Sequence, residues 1–155
     1  MVDRYRLGVV GVGNTLAGDD GAGVVAMRRL RERLGAPGDI LFLELAGDPF
    51  ALADELHRAD RWLFLDAVAG DVPGRVARLD QPHRRGFAAS LHQADVVSVM
   101  AAFERLRVAV PFPAWELWGV TIKTPEKLGE ELSPEIDAAV HELVGALVAR
   151  IREES

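Results

Sequence analysis

The sequence predicts a three-layer α/β/α domain with a mostly parallel sheet of about five strands, one of them an antiparallel edge strand. Three observations predict it. Short apolar runs ended by glycine or acid alternate with stretches of helical periodicity. Strands separated by helices form parallel sheets covered on both faces. The 155 residues, 49% of them hydrophobic, are the size of one ordinary core, so a single domain over residues 1–155 is expected.

The elements follow in order. Leu7–Gly11 (LGVVG) reads as a buried strand ended by glycines. From Gly21 to Leu34, Val24, Met27, Leu30 and Leu34 recur at helical spacing with arginines between them. Ile40–Leu45 (ILFLEL) is a second strand. Asp48-Pro49 opens a helix expected to run to about Ala59, with Asp48 as N-cap and Pro49 in the first turn. Trp62–Leu65 (WLFL) is a third strand, finishing at Asp66. Gly74–Leu79 is a fourth, placed at an edge because Arg75 and Arg78 break its apolar run. Gln93–Leu106 reads as a helix with Val96, Val97, Met100 and Phe103 on one side, and Trp115–Val120 as the last strand. Ser133-Pro134-Glu135 opens a final helix with Ile136, Val140, Leu143, Leu147 and Ile151 as its stripe.

Composition excludes several classes of chemistry. The chain has no cysteine, so thiolate metal sites, cysteine nucleophiles and disulfides are out. A net charge of −6 argues against nucleic acid, whose phosphates favour a basic face. No apolar run approaches the ~20 residues of a membrane span, and no signal-type segment is visible, so a soluble cytoplasmic protein is expected.

Parallel α/β sheets hold their ligands outside the carboxyl ends of the strands. Three polar features are predicted at that edge: one of the adjacent acids Asp19 and Asp20 after the first strand, Asp66 after the third, and His92 directly before a helix. The first loop, Gly11-Val12-Gly13-Asn14-Thr15-Leu16-Ala17-Gly18-Asp19-Asp20-Gly21, has a GxG but no third glycine, since Leu16 stands there. Its acids Asp19 and Asp20 would repel a pyrophosphate, and no GxxxxGK[ST] exists. The loop suits a cation. In a purely structural reading, one of the two acids caps the helix starting near Gly21, Asp66 makes a loop hydrogen bond, and His92 opens a helix. Convergence of the three favours the functional reading. Two carboxylates and one imidazole suit a borderline divalent ion such as nickel, zinc, manganese or iron.

Other candidates are weaker. Ser90 and His92 are too close in sequence for a hydrolase dyad, and no GxSxG elbow exists. His57, His83 and His141 read as solvated side chains, and Trp62, Trp115 and Trp118 as core or strand-face residues.

Taken together, these segments resemble the nickel–iron hydrogenase maturation proteases. The resemblance rests on Gly11-Val12-Gly13-Asn14 with Leu16 and Asp19-Asp20-Gly21-Ala22-Gly23, on Leu65-Asp66-Ala67-Val68, on Ser90-Leu91-His92-Gln93, and on Gly119-Val120 with Leu132-Ser133-Pro134-Glu135. It covers essentially the whole chain. It implies an endopeptidase that removes a C-terminal extension from the immature hydrogenase large subunit after nickel insertion. It also implies Asp20, Asp66 and His92 as the metal-contacting and catalytic residues, with no individual acid or base role assigned. The nickel would be carried by the substrate, and the same site would take zinc or cadmium. The chain departs from the family at Asp20, where the best-known members carry glutamate, and at Asp48, where many carry threonine. It departs again at Ala94-Asp95-Val96-Val97 after the histidine, where Leu-Gly-Leu is more usual. The partner implied is the large-subunit precursor, and a monomer or weak dimer is expected. Two alternatives stand beside this reading: a non-catalytic nickel-binding maturation chaperone, and an α/β enzyme binding a phosphate ligand.

Overall fold

A computed structural model describes residues 4–79, 96–123, 129 and 131–155. Its sheet runs β2-β1-β3-β5-β4, with β1 Leu7–Val12, β2 Ile40–Leu45, β3 Arg61–Ala69, β4 Val76–Arg78 and β5 Ala114–Ile122. The first four strands in that order are parallel, and β4 is antiparallel on the edge. The arginines that marked β4 as an edge strand therefore mark it correctly.

Helices cover both faces. On one, α1 Ala22–Leu34 and α3 Pro134–Glu153 close a core of Val9, Leu30, Leu63, Leu65, Val140 and Leu147, among others. On the other, α2 Val96–Arg105 packs Val99, Met100 and Phe103 against Val10, Trp62 and Phe64. The alternation of side chains along β3 divides these cores: Leu63 and Leu65 face α1 and α3, while Trp62 and Phe64 face α2. Among the described residues no helix is long and apolar enough to cross a membrane.

One element differs in kind from its expectation. The helix expected from Asp48 to Ala59 is two 3-10 pieces, Pro49–Asp54 and Leu56–Arg58. The cap itself forms, since Asp48 Oδ1 accepts the Phe50 N–H at 2.9 Å. Continuation as an α-helix would need the Asp60 N–H to reach the Leu56 carbonyl. Instead Asp60 N–H donates to the Tyr5 carbonyl at 2.9 Å, and the Leu56 carbonyl accepts the Trp62 indole N–H at 3.2 Å. Tertiary hydrogen bonds thus replace the helical ladder. A second correction concerns length. β3 does not finish at Asp66 but pairs with β5 through Ala69↔Ile122, which places Asp66 inside a strand.

Candidate active site

Among the described residues the buried polar or charged side chains are Asp20, Asp66 and Thr121, with Asp20 8% and Asp66 2% exposed. Both acids lie toward the carboxyl ends of neighbouring parallel strands, where the sequence places them. Burying a carboxylate is costly unless it is bound, so its local contacts explain its presence.

Asp20 sits in a 3-10 turn, Gly18–Gly21, that follows β1 and packs against β3. Its Oδ2 accepts the Asn14 N–H at 3.1 Å, while Asn14 Oδ1 accepts the Leu16 N–H at 3.0 Å in an Asx-type turn. Glycines bring this loop in. Gly13 has φ +139°, a conformation L side chains rarely adopt, and a Cβ there would run into the Asp20 carbonyl oxygen. A Cβ at Gly23 would run into the carbonyl oxygens of Leu65 and Val12. The start of α1 therefore lies directly on the β3 backbone, one residue before Asp66.

Asp66 shares the sheet face of Trp62 and Phe64, the face that α2 covers. Its Oδ1 accepts the N–H of Ala67 at 2.8 Å. His92 lies outside the described residues, as do Ser90 and His83; α2, the helix that His92 precedes in sequence, is described from Val96. Among the described residues no group of three metal-binding side chains is found. His57 and His141 are exposed, as expected.

The structure divides the work of the two adjacent acids. Neither caps α1, whose N-cap is Gly21 with no side-chain cap bond. Asp19 instead reaches across to the start of α3: its Oδ1 accepts the Ser133 N–H at 2.7 Å and its Oδ2 accepts the Ser133 hydroxyl at 2.8 Å. Gly129 adds a second tie, accepting from Gly18 N–H at 2.7 Å and donating to the Leu16 carbonyl at 2.9 Å. The connection between β5 and α3 thus clamps the Asp20 loop. Sequence reasoning saw Ser133 only as a helix opener; nothing local in the sequence links it to Asp19, 114 residues away.

This geometry disfavours the phosphate reading. The Asn14 amide, which would have to help cradle a phosphate, donates to the Asp20 carboxylate. A buried pair of acids instead suits a cation or a polarised, electron-poor group.

Comparison with known proteins points to one family. The family model described as hydrogenase maturation protease (HycI) matches residues 24–150. The chain is 31% identical over 160 residues to the hydrogenase expression/formation protein HupD of Bradyrhizobium diazoefficiens, covering 94% of this chain and 82% of that protein. Among solved structures it is similar to the NiFe hydrogenase maturation protease HybD of Thermococcus kodakarensis, with TM-score 0.74, 27% identity, and 92% and 97% of the two chains covered. It is also similar to the maturation protease HycI of Thermococcus kodakarensis KOD1, with TM-score 0.73, 25% identity, and 94% and 92% covered.

Proposed function

The chain belongs to the hydrogenase maturation protease family, and from that premise we propose that it removes a C-terminal extension from the immature nickel–iron hydrogenase large subunit, in the cytoplasm, once nickel is in place. It is a hydrolase, a hydrogenase maturation endopeptidase. Maturation proteases act on large-subunit precursors in general; the order of events and the reading of nickel are the proposed part. Asp20, Asp66 and His92 recognise the metal carried by the substrate.

The observation that supports this most is the pair of buried acids, Asp20 in the turn after β1 and Asp66 in the carboxyl half of the adjoining β3. Attraction between a carboxylate and a cation is stronger where water is partly excluded. Two carboxylates and one imidazole leave coordination positions for groups supplied by the precursor. A nickel-loaded precursor therefore gains a contact that a metal-free one lacks. Either aspartate is chemically able to serve as general base toward water.

The test uses enzyme stripped of metal by chelator and incubated with precursor in metal-free and nickel-loaded forms, with the shortened large subunit read by mass. Cleavage is expected only of the loaded form. Equal cleavage of both forms would remove nickel recognition and leave an aspartate-driven protease.

A further inference from the structure

Five large hydrophobic side chains stand exposed among the described residues: Leu16 at 59%, Phe50 at 53%, Val72 at 48%, Leu106 at 73% and Val110 at 66%. Their placement is uneven. Leu106 and Val110 lie in the connection from α2 into the amino end of β5. Leu16, Phe50 and Val72 follow the carboxyl ends of β1, β2 and β3, which are three adjacent strands. They flank the loop carrying Asp20 and the strand carrying Asp66.

Each of the three is also held in place. The Leu16 N–H donates to Asn14 Oδ1 at 3.0 Å and its carbonyl accepts from Gly129. The Phe50 N–H donates to Asp48 Oδ1 at 2.9 Å, and its ring meets Phe103 edge-on at 6.0 Å between centroids. The Val72 carbonyl accepts the hydroxyl of Thr121, a buried side chain, at 2.6 Å. Exposing an apolar side chain gains nothing for folding, whereas presenting it on a fixed backbone lowers the ordering cost of binding.

We propose that Leu16, Phe50 and Val72 form a pre-organised apolar rim on which the large-subunit precursor docks before its scissile bond reaches the acids. The inference rests on the function proposed above and adds the surface that recognises the partner. Neighbouring strand ends are only about 4.8 Å apart, and a specific protein interface covers about 800 Å² of each partner. A folded precursor that reaches Asp20 and Asp66 therefore also meets the segments that follow these strand ends, which carry the three side chains. Apolar anchors at the centre of an interface carry a large share of its affinity.

The experiment measures binding of purified nickel-loaded precursor to immobilised enzyme, with cleavage followed in parallel. Leu16→Ser, Phe50→Ser and Val72→Ser should each weaken binding about five- to tenfold. Glu153→Gln, at the exposed end of α3 next to the amino end of β3, should leave it unchanged. Leu16 and Val72 offer their side chains to solvent, so those two variants keep the wild-type melt and carry the test even if Phe50→Ser loosens Phe103. Wild-type binding by folded Leu16→Ser and Val72→Ser, with cleavage intact, would overturn the rim and leave the function standing. A wild-type enzyme that neither binds nor cleaves this precursor would overturn both.

Discussion

The two ends of the sheet hold their carboxylates through different contacts, arginine side chains at one and main-chain amides at the other. At the amino end, Glu116 of β5 is paired with Arg150 of α3 and lies 3.5 Å from Arg78. Glu154 is paired with Arg61 and lies 3.8 Å from Arg150. The guanidiniums crowd one another. Burial pushes the Arg61 guanidinium below its ordinary pKa, and the neighbouring charge of Arg150 adds to this. At the carboxyl end, the Asp20 and Asp66 carboxylates accept main-chain amides from Asn14 and Ala67. An ion pair uses a carboxylate's charge to tie elements together. An amide contact fixes where a carboxylate's oxygens lie, which is what a group that meets a substrate needs. The same residue chemistry serves stability at one edge and, on the proposed function, recognition at the other.

That contrast is open to direct tests. Asp20→Asn and Asp66→Asn should each cut processing by a hundredfold or more, by the order of magnitude seen when a reacting-site group is lost. The thermal melt should hardly move, because asparagine can still accept the same amide. Precursor cleavage read beside a melting curve checks this, and an active Asp20→Asn enzyme would place the working acid elsewhere.

Asp19 tests the neighbouring acid in the opposite sense. Asp19→Ala removes two hydrogen bonds to Ser133, one of them from its backbone amide, and should cost about 2 kcal/mol in a denaturant titration. Asp20→Asn should show no comparable loss of stability. If the two variants exchanged these behaviours, Asp19 and Asp20 would have to exchange roles.

The smallest effect is expected at the amino end. Glu116→Gln removes the charge that Arg150 and Arg78 meet and should lower stability by about 1 kcal/mol, a few degrees of melting temperature. Cleavage should be unaffected. A loss of activity there would mean that the two edges are coupled through β5 or α3.

Much of the fold was legible because its signals are local. Ile40–Leu45 was placed to the residue, and the strand around Trp62 and the helices at Gly21 and Ser133 were found from periodicity and turn chemistry. The segment after Asp48 was misread because its cap was visible in sequence, whereas the bonds that stop an α-helix come from Tyr5 and Trp62. Asp66 was placed three residues too near its strand end because β3 is prolonged by pairing with β5, which no local pattern announces.

The sequence by itself determined the layered α/β architecture and placed the Asp19–Asp20 pair and Asp66 toward the carboxyl edge of the sheet. Apolar period, glycine and charge act over a few residues and can be read in order. Only the tertiary structure decided between Asp19 and Asp20, because both are aspartates and both adjoin the same turn. Asp19 is taken up by Ser133, a partner brought close only when β5 has crossed the sheet and α3 has packed back against α1. Asp20 is turned to the amide of Asn14 because the Gly13 backbone lets the loop fold onto itself. Hydrogen-bond partners that exist only after folding cannot be inferred from spacing, and here they separate a structural carboxylate from the one proposed to meet the substrate.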